Sequence, residues 1–555
     1  MKKIYTFLLL SLVMLTSCNP EKELKSLISD LEGTLLPLYV ESSKSYWAGT
    51  TTGNPEDFQR YAQAGIKTTE IYSDKVLFDK LSRMRKSGRV TNPLLKRQLD
   101  IIYLSFLKGQ ADTTLQNLII EKESLLEQKY AGFRAEFRGE KVNDNYVEEI
   151  LRTSTDNKAL EEIWNAHKAI GPYVAEDVLE IVRLRNNLAQ SLGFDNYHTM
   201  SMILSEQDPE EISALFDELD DMTREGFVVL KADMDKMFSA RYKVPANKLM
   251  PWHFQGRFFQ EAPDLYPVDF DKYYKGRNLE TLTTDFYNSI GLDVSTIMMN
   301  SDLYPCDGKN QHAYCIDIDR NGDVRVLCNI SDTEQWMSTM LHEFGHAVYA
   351  IGHDAAGNPL FLREAAHSFT TEAVAMMFDR LSRNTEWMKV MVDLPEEEAA
   401  AINEDCIRSL RLQQLVFSRW AQVMYRFEKE MYADPEQDLN TLWWDLVEKY
   451  QLLTRPEGRN QPDWASKIHV ALYPCYYHNY QLGALLASQL HHYIVTNVTN
   501  SQDMANDCYI GSKEVGEWLQ EYVFNPGMRY EWNEMIEKAT GEKLTAAYYK
   551  MQFVD

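Results

Sequence analysis

The chain has 555 residues, 45% hydrophobic and 12% aromatic, with 57 Lys+Arg against 83 Asp+Glu and a formal charge of −26. That content excludes a disordered chain or a coiled coil, and 25 Gly with 18 Pro exclude a collagen-like one. The acidic balance, with no Lys/Arg run longer than two, argues against phosphate-backbone binding, so no nucleic-acid partner is expected.

Lys2-Lys3 precedes an apolar stretch, Ile4 to Leu15, that is too short to span a bilayer. It ends Leu15-Thr16-Ser17-Cys18, and small residues before a Cys resemble the bacterial lipoprotein signal. Residues 1–17 are then expected to be removed and Cys18 lipidated, with 18–25 as a short tether. An ordinary secretory signal is the alternative. Lipid on Cys18 would be the membrane contact of an exported protein facing the periplasm or the cell surface.

Apolar residues recur at helical spacing from Glu21 to Leu36, from Lys80 to Lys129, and from Val147 to Leu204, where Gly171-Pro172 and Gly193 read as breaks. Asp208-Pro209-Glu210-Glu211 opens another helix, to Ala240. No repeat and no Gly/Ser-rich linker divides the chain. The one strong β signal is Cys315 to Cys328, a hairpin with Asn321-Gly322 as a two-residue type I′ turn. That register sets Cys315 opposite Cys328 in a close pair and predicts a cross-strand disulfide. The expectation is one large, mainly α catalytic unit, residues 26–555, in two lobes.

His342-Glu343-Phe344-Gly345-His346 carries the strongest chemistry, in a helix opened by Ser331-Asp332-Thr333-Glu334 as a capping box. Spacing of four puts both imidazoles on one face, able to share a Zn²⁺, and Glu343 beside them can accept a proton from the attacking water. A third ligand is needed; Glu364 and Glu372 are the candidates. Glu372 is favoured because it lies in an apolar helix opened by Ser368, where an unpaired carboxylate is costly. Glu364, beside Arg363, reads more simply as an ion pair. Asp379 shares a face with Glu372 and is a candidate to orient one His; the alternative is an exposed Asp paired with Arg380 or Arg383. A third cluster, Asp463 to His469 followed by Tyr473 to Tyr480, offers His and Tyr donors for an oxyanion, or simply core packing.

Together these clusters resemble the angiotensin-converting-enzyme-like family of zinc dipeptidyl carboxypeptidases: HEFGH, LREAAHSFTTEA, DWASKIH and WWDLVEKYQ each match a family stretch, most clearly from Pro305 to Gln489. The resemblance implies a large two-lobed helical metallopeptidase with a deep central channel and a small β-hairpin beside the zinc helix. It implies one zinc per chain on His342, His346 and Glu372, with Glu343 as general base and then general acid. His469 and Tyr480 would stabilise the oxyanion. Lys467 and Tyr477, with Gln260, would grip the C-terminal carboxylate of a peptide substrate. His312 and Ala313 would pair their backbone with it, in keeping with the hairpin's open edge.

The chain also departs from the family. Met376 stands where the family has an acid one turn after the ligand Glu, a place Asp379 can take. Asn479 and Val447 replace two chloride-linked arginines, so chloride activation is not expected. The family half-cystine before HAS is Gln311 here; Cys315, close by, is in keeping with a displaced bridge to Cys328. The resulting expectation is an exported zinc peptidyl-dipeptidase. The alternatives are a thimet-oligopeptidase-like zinc endopeptidase and a non-catalytic binding protein on a peptidase scaffold.

Overall fold

Helix starts along the first hundred residues are written in Asn, Asp and Pro. The computed structural model describes residues 19–266 and 268–555; the leader and Cys18 lie outside them. Asn19, Asn54, Asp74 and Asn92 each accept a backbone N–H at the mouth of a helix. The helices are α1 (Pro20–Thr52), α2 (Pro55–Tyr72), α3 (Lys75–Ser87) and α4 (Pro93–Gly109). Three begin with Pro, whose missing N–H costs nothing in a first turn.

The expected tether is helix from Pro20 onward, and Leu24 is fully buried within it. The first helix also passes Pro37 and runs to left-handed Gly53, beyond the Leu36 limit. Leu24, Leu27, Ile28, Leu31 and Leu35 of α1 pack with α3, α4 and Phe361 into a small core of their own. A far larger core takes in the chain from Ala111 to Phe553.

Two boundaries differ from the sequence reading. The Lys80–Lys129 tract is cut at Gly88, in the left-handed region, and again at Gln110. Gly171-Pro172 is no break: it forms the first turn of the helix Ile170–Ser191. A Cβ on Gly171 would lie 2.4 Å from the Pro462 carbonyl oxygen, so this glycine serves close approach to the Asp463 loop. A small hairpin, β1 (Ala135–Phe137) with β2 (Glu140–Val142), was not foreseen; left-handed Arg138 and Gly139 make its two-residue turn. The Asp208 cap opens α5 (Pro209–Tyr242) as expected.

The second hairpin, β3 (Tyr314–Asp317) with β4 (Val324–Leu327), is present in a different register. Cys315 faces Val326, not Cys328, and both thiols are free. The turn is a four-residue loop, closed by Ile318 N–H donating to the Asp323 carbonyl at 2.8 Å. Asp317 Oδ1 accepts the N–H groups of Asp319 and Arg320, and Asp319 Oδ1 those of Asn321 and Asp323. These carboxylate-capped N–H groups outcompete the Asn-Gly turn. They leave Cys315 opposite Val326, so the register that would set it against Cys328 is not formed.

The helices α6 (Glu334–Ala355), α7 (Ser368–Asp379), α8 (Glu396–Ala433) and α9 (His478–Tyr493) complete the frame of the site. Thr333, not Ser331, caps α6; the Glu334 carboxylate instead accepts from Ser382 and Arg383 at 2.7 Å each. His367, not Ser368, caps α7, through Nδ1. A Cβ on Gly345 of α6 would stand 2.9 Å from the Ala375 Cα of α7, and one on Gly483 of α9 would stand 3.3 Å from the Glu372 Cβ. Both glycines let neighbouring backbones close around one point. No helix among the described residues is long and apolar enough to cross a membrane.

Candidate metal centre and active site

That point is where His342, His346 and Glu372 meet, their ligand atoms all within 4.8 Å of one another. The two Nε2 atoms are 3.3 Å apart, and Glu372 Oε2 is 3.6 Å from His342 Nε2. A tetrahedral ion with bonds of about 2.0–2.1 Å separates its ligands by about 3.3–3.4 Å. The other ring nitrogens are held by neighbouring side chains. His342 Nδ1 lies 2.9 Å from Asp379 Oδ2, and His346 Nδ1 lies 2.7 Å from Thr371 Oγ. The Nε2 atoms of both rings and a carboxylate oxygen face one point, where a cation can take the place of the proton that His342 otherwise holds. These residues therefore fit a zinc ion.

Burial opposes charge on His342, but Asp379, Glu372 and Glu343 outweigh it and raise its pKa to about 9. His346 has no such carboxylate contact, and burial with the neighbouring His342 drives it down to about 3. Glu343 is 8% exposed; burial lifts its carboxyl to about 7, which suits a group that takes and returns a proton near neutral pH. The Cys315 backbone N–H of the β3 edge partly counters that rise.

Glu364 is an ion-pair partner of Arg320 and stands outside the triad. Arg383 is held by Glu334, which leaves Asp379 free to bond His342. Ala313 lines the cavity of about 590 Å³ that contains the triad. His312 is exposed and donates its N–H to Asn310 Oδ1, so of that pair only Ala313 reaches the cavity.

A second cavity of about 1100 Å³ is walled by Gln260, Lys467, His469, Tyr477 and Tyr480, with Asp379 on its wall. Lys467 Nζ donates to Gln260 Oε1 at 2.5 Å, across 207 residues of chain. Burial first, then nearby Arg257, lowers the Lys467 pKa to about 8. His469 is lowered to about 4 by burial and by Lys467, so it is a neutral N–H donor at physiological pH. Its ring packs on Tyr477 at 5.2 Å, and Tyr477 on Tyr480 at 5.4 Å. The aromatic run is thus core packing and cavity wall at once.

Several supporting residues escaped the sequence reading. Thr371 directly precedes Glu372 but carries no motif of its own. Gln451, the last residue of WWDLVEKYQ, donates to the carbonyls of Phe258 and Phe259 at 3.0 and 2.8 Å and so fixes the segment that carries Gln260. Asp463 accepts from Trp444 and from both arms of Arg459, pinning the loop of Lys467. Asn479 accepts from Gln207 at 2.8 Å, and Val447 is buried in apolar packing.

The Peptidase M2 family, described as angiotensin-converting enzyme, matches residues 18–554. Thermostable carboxypeptidase 1 of Pyrococcus furiosus is 22% identical over 493 residues, 84% of this chain and 91% of its own. Angiotensin-converting enzyme of Mesocricetus auratus is 22% identical over 441 residues, and that of Rattus norvegicus 21% over 435; each match covers 73% of this chain. The chain spans about a third of the length of those two relatives.

Proposed function

Because the chain belongs to the angiotensin-converting-enzyme family of zinc peptidases, we propose that it is a peptidyl-dipeptidase that removes C-terminal dipeptides. One observation carries the finer reading: a lysine–glutamine pair, Lys467 with Gln260, lines the same cavity as His469 and Tyr480. A cation fixed there reads a free carboxylate, and its distance from the metal sets how many residues leave.

Zinc held by His342, His346 and Glu372 would supply Lewis-acid polarisation and an activated water. Glu343 is placed to take the proton of the water that attacks the scissile carbonyl and to pass it to the leaving amine. His469 and Tyr480 donate to the carbonyl oxygen as negative charge builds on it. Tyr477, Gln260 and Lys467 hold the C-terminal carboxylate, and the β3 edge at Ala313 pairs with the extended peptide backbone. Asp379 and Thr371 keep the imidazoles in the tautomer that the ion needs. Export as a lipoprotein through Cys18 belongs to the same proposal and rests on the leader sequence alone.

Mass spectrometry of products from one decapeptide, with a free and with an amidated C-terminus, tests the reading. Sequential loss of dipeptides from the free form, abolished by a chelator and nearly absent with the amide, is expected. Equal internal cleavage of both forms would instead mark an endopeptidase of the thimet-oligopeptidase kind. Purified protein that binds no zinc and cuts neither peptide would mark a non-catalytic scaffold. The pH profile adds a second check: the ammonium of Lys467 exists below about pH 8. KM for free-ended peptides should therefore rise above that pH, and Lys467→Arg should shift the rise upward. A KM that is flat from pH 6 to pH 9 would remove Lys467 from the carboxylate site.

A further inference from the structure

Three arginines share the wall of the cavity that contains Lys467: Arg152, within 3.8 Å of Glu261, Arg383, paired with Glu334, and Arg380. The Arg380 guanidinium has no carboxylate partner among the described residues. Nη2 reaches only Gln414 Oε1, at 3.4 Å, and Nε is buried without any partner. The adjacent acid, Asp379, is turned to His342 at 2.9 Å. Arg380 is half-buried, whereas the buried arginines are matched: Arg97 with Glu206, Arg185 with Glu123, Arg419 with Asp220.

One polar atom on the same wall is also unmatched. Gln552 lines the same cavity, and its Oε1 has no partner. Phe553 packs under the guanidinium at 5.4 Å and backs it from one side. A half-buried cation with a shielded, unpartnered Nε is poorly solvated, and a bound anion would supply the missing partner. Guanidinium is the side chain best shaped to take a carboxylate by two parallel hydrogen bonds.

We propose that Arg380 is a specificity-determining residue that pairs with an acidic side chain on one of the two residues released with the substrate's C-terminus. Arg380 shares that cavity with Lys467, and a peptide whose C-terminal carboxylate Lys467 holds carries only two side chains beyond the scissile bond. The inference thus rests on the peptidyl-dipeptidase reading. It adds what that reading lacks, a preference for Asp or Glu in the leaving dipeptide.

Calorimetric binding of product dipeptides to the zinc-loaded protein tests this without relying on turnover. Ala-Glu and Glu-Ala are compared with Ala-Gln and Gln-Ala, on the wild type, Arg380→Gln and Lys467→Ala. One acidic dipeptide should bind the wild type at least tenfold more tightly than its amide twin. Arg380→Gln should bind the two alike, with affinity for the amide within twofold of wild type. Circular dichroism and the melting temperature establish that the variant is folded, and the wild-type ratio stands by itself if it is not. Equal wild-type affinities for acid and amide, or a preference that survives in folded Arg380→Gln, would overturn the proposal. Saturable chloride binding that Arg380→Gln abolishes, with no acid preference, would assign the cation to an inorganic ion and also overturn it. Dipeptide binding that Lys467→Ala leaves unchanged would instead overturn the reading beneath it.

Discussion

Asp379 shows how much one side chain decides. Burial alone would hold His342 neutral; the carboxylate 2.9 Å from Nδ1 favours a proton there and leaves Nε2 facing Glu372, where an ion can displace its second proton. Asp379→Ala should weaken zinc affinity about 10–100-fold, read by competition with a coloured chelator. Unchanged affinity would reduce Asp379 to a structural contact. The sequence made this residue legible through spacing, seven positions after Glu372 and on the same helix face, even with Met376 in the nearer position. Thr371 was invisible for the opposite reason: it lies beside the ligand, and only folding turns its hydroxyl to His346. Lys467 and Gln260 were found through motif resemblance, because no local pattern ties residues 207 positions apart.

Among elements, the contact of α6 with α7 matters most. HEFGH reads as metal chemistry, yet its Gly345 has a packing role: a methyl there meets Ala375 backbone at 2.9 Å, with no flexible side chain to give way. Gly345→Ala should push α7 outward and cost about 1–3 kcal/mol of stability. It should also lower zinc affinity, while helix content by circular dichroism stays near wild type. Zinc affinity equal to wild type would show that Glu372 does not depend on that close approach. The hairpin teaches a different lesson. Its existence and place beside α6 follow from alternating residues and a turn signal. Its register does not, because Asp317 and Asp319 can cap the loop only once it has folded, and a change of two residues undoes the expected disulfide.

At the scale of the molecule, the mainly helical frame was legible from period and caps, while its buried charges were not. Glu428 on α8 is 2% exposed and accepts the Cys475 N–H at 2.9 Å, which secures the loop before Tyr477. Burial raises its carboxyl to about 8, so between its ordinary value and pH 8 the folded protein holds a proton that the unfolded chain releases. Its share of stability is therefore greatest in acid and falls as pH rises toward 8. Glu428→Gln mimics the protonated form. The variant should match the wild type near pH 5 and at pH 8 be more stable by roughly a few kcal/mol, read as a higher melting temperature. Equal melting curves at pH 8 would mean that this carboxyl ionises without penalty. Asp463 with Trp444 and Arg459, and Gln451 with the Phe258–Phe259 carbonyls, belong to the same class of long-range contacts. Each joins distant segments, and each stands behind a substrate-facing residue.

The central claim is that two imidazoles and a carboxylate from two abutting helices hold one ion. A crystal of zinc-loaded protein, with diffraction recorded on both sides of the zinc absorption edge, tests it most directly. The account predicts one strong anomalous peak bonded to Nε2 of His342, Nε2 of His346 and a carboxylate oxygen of Glu372. A fully loaded crystal with its peak elsewhere, or with Glu372 out of bonding reach of the ion, would contradict it.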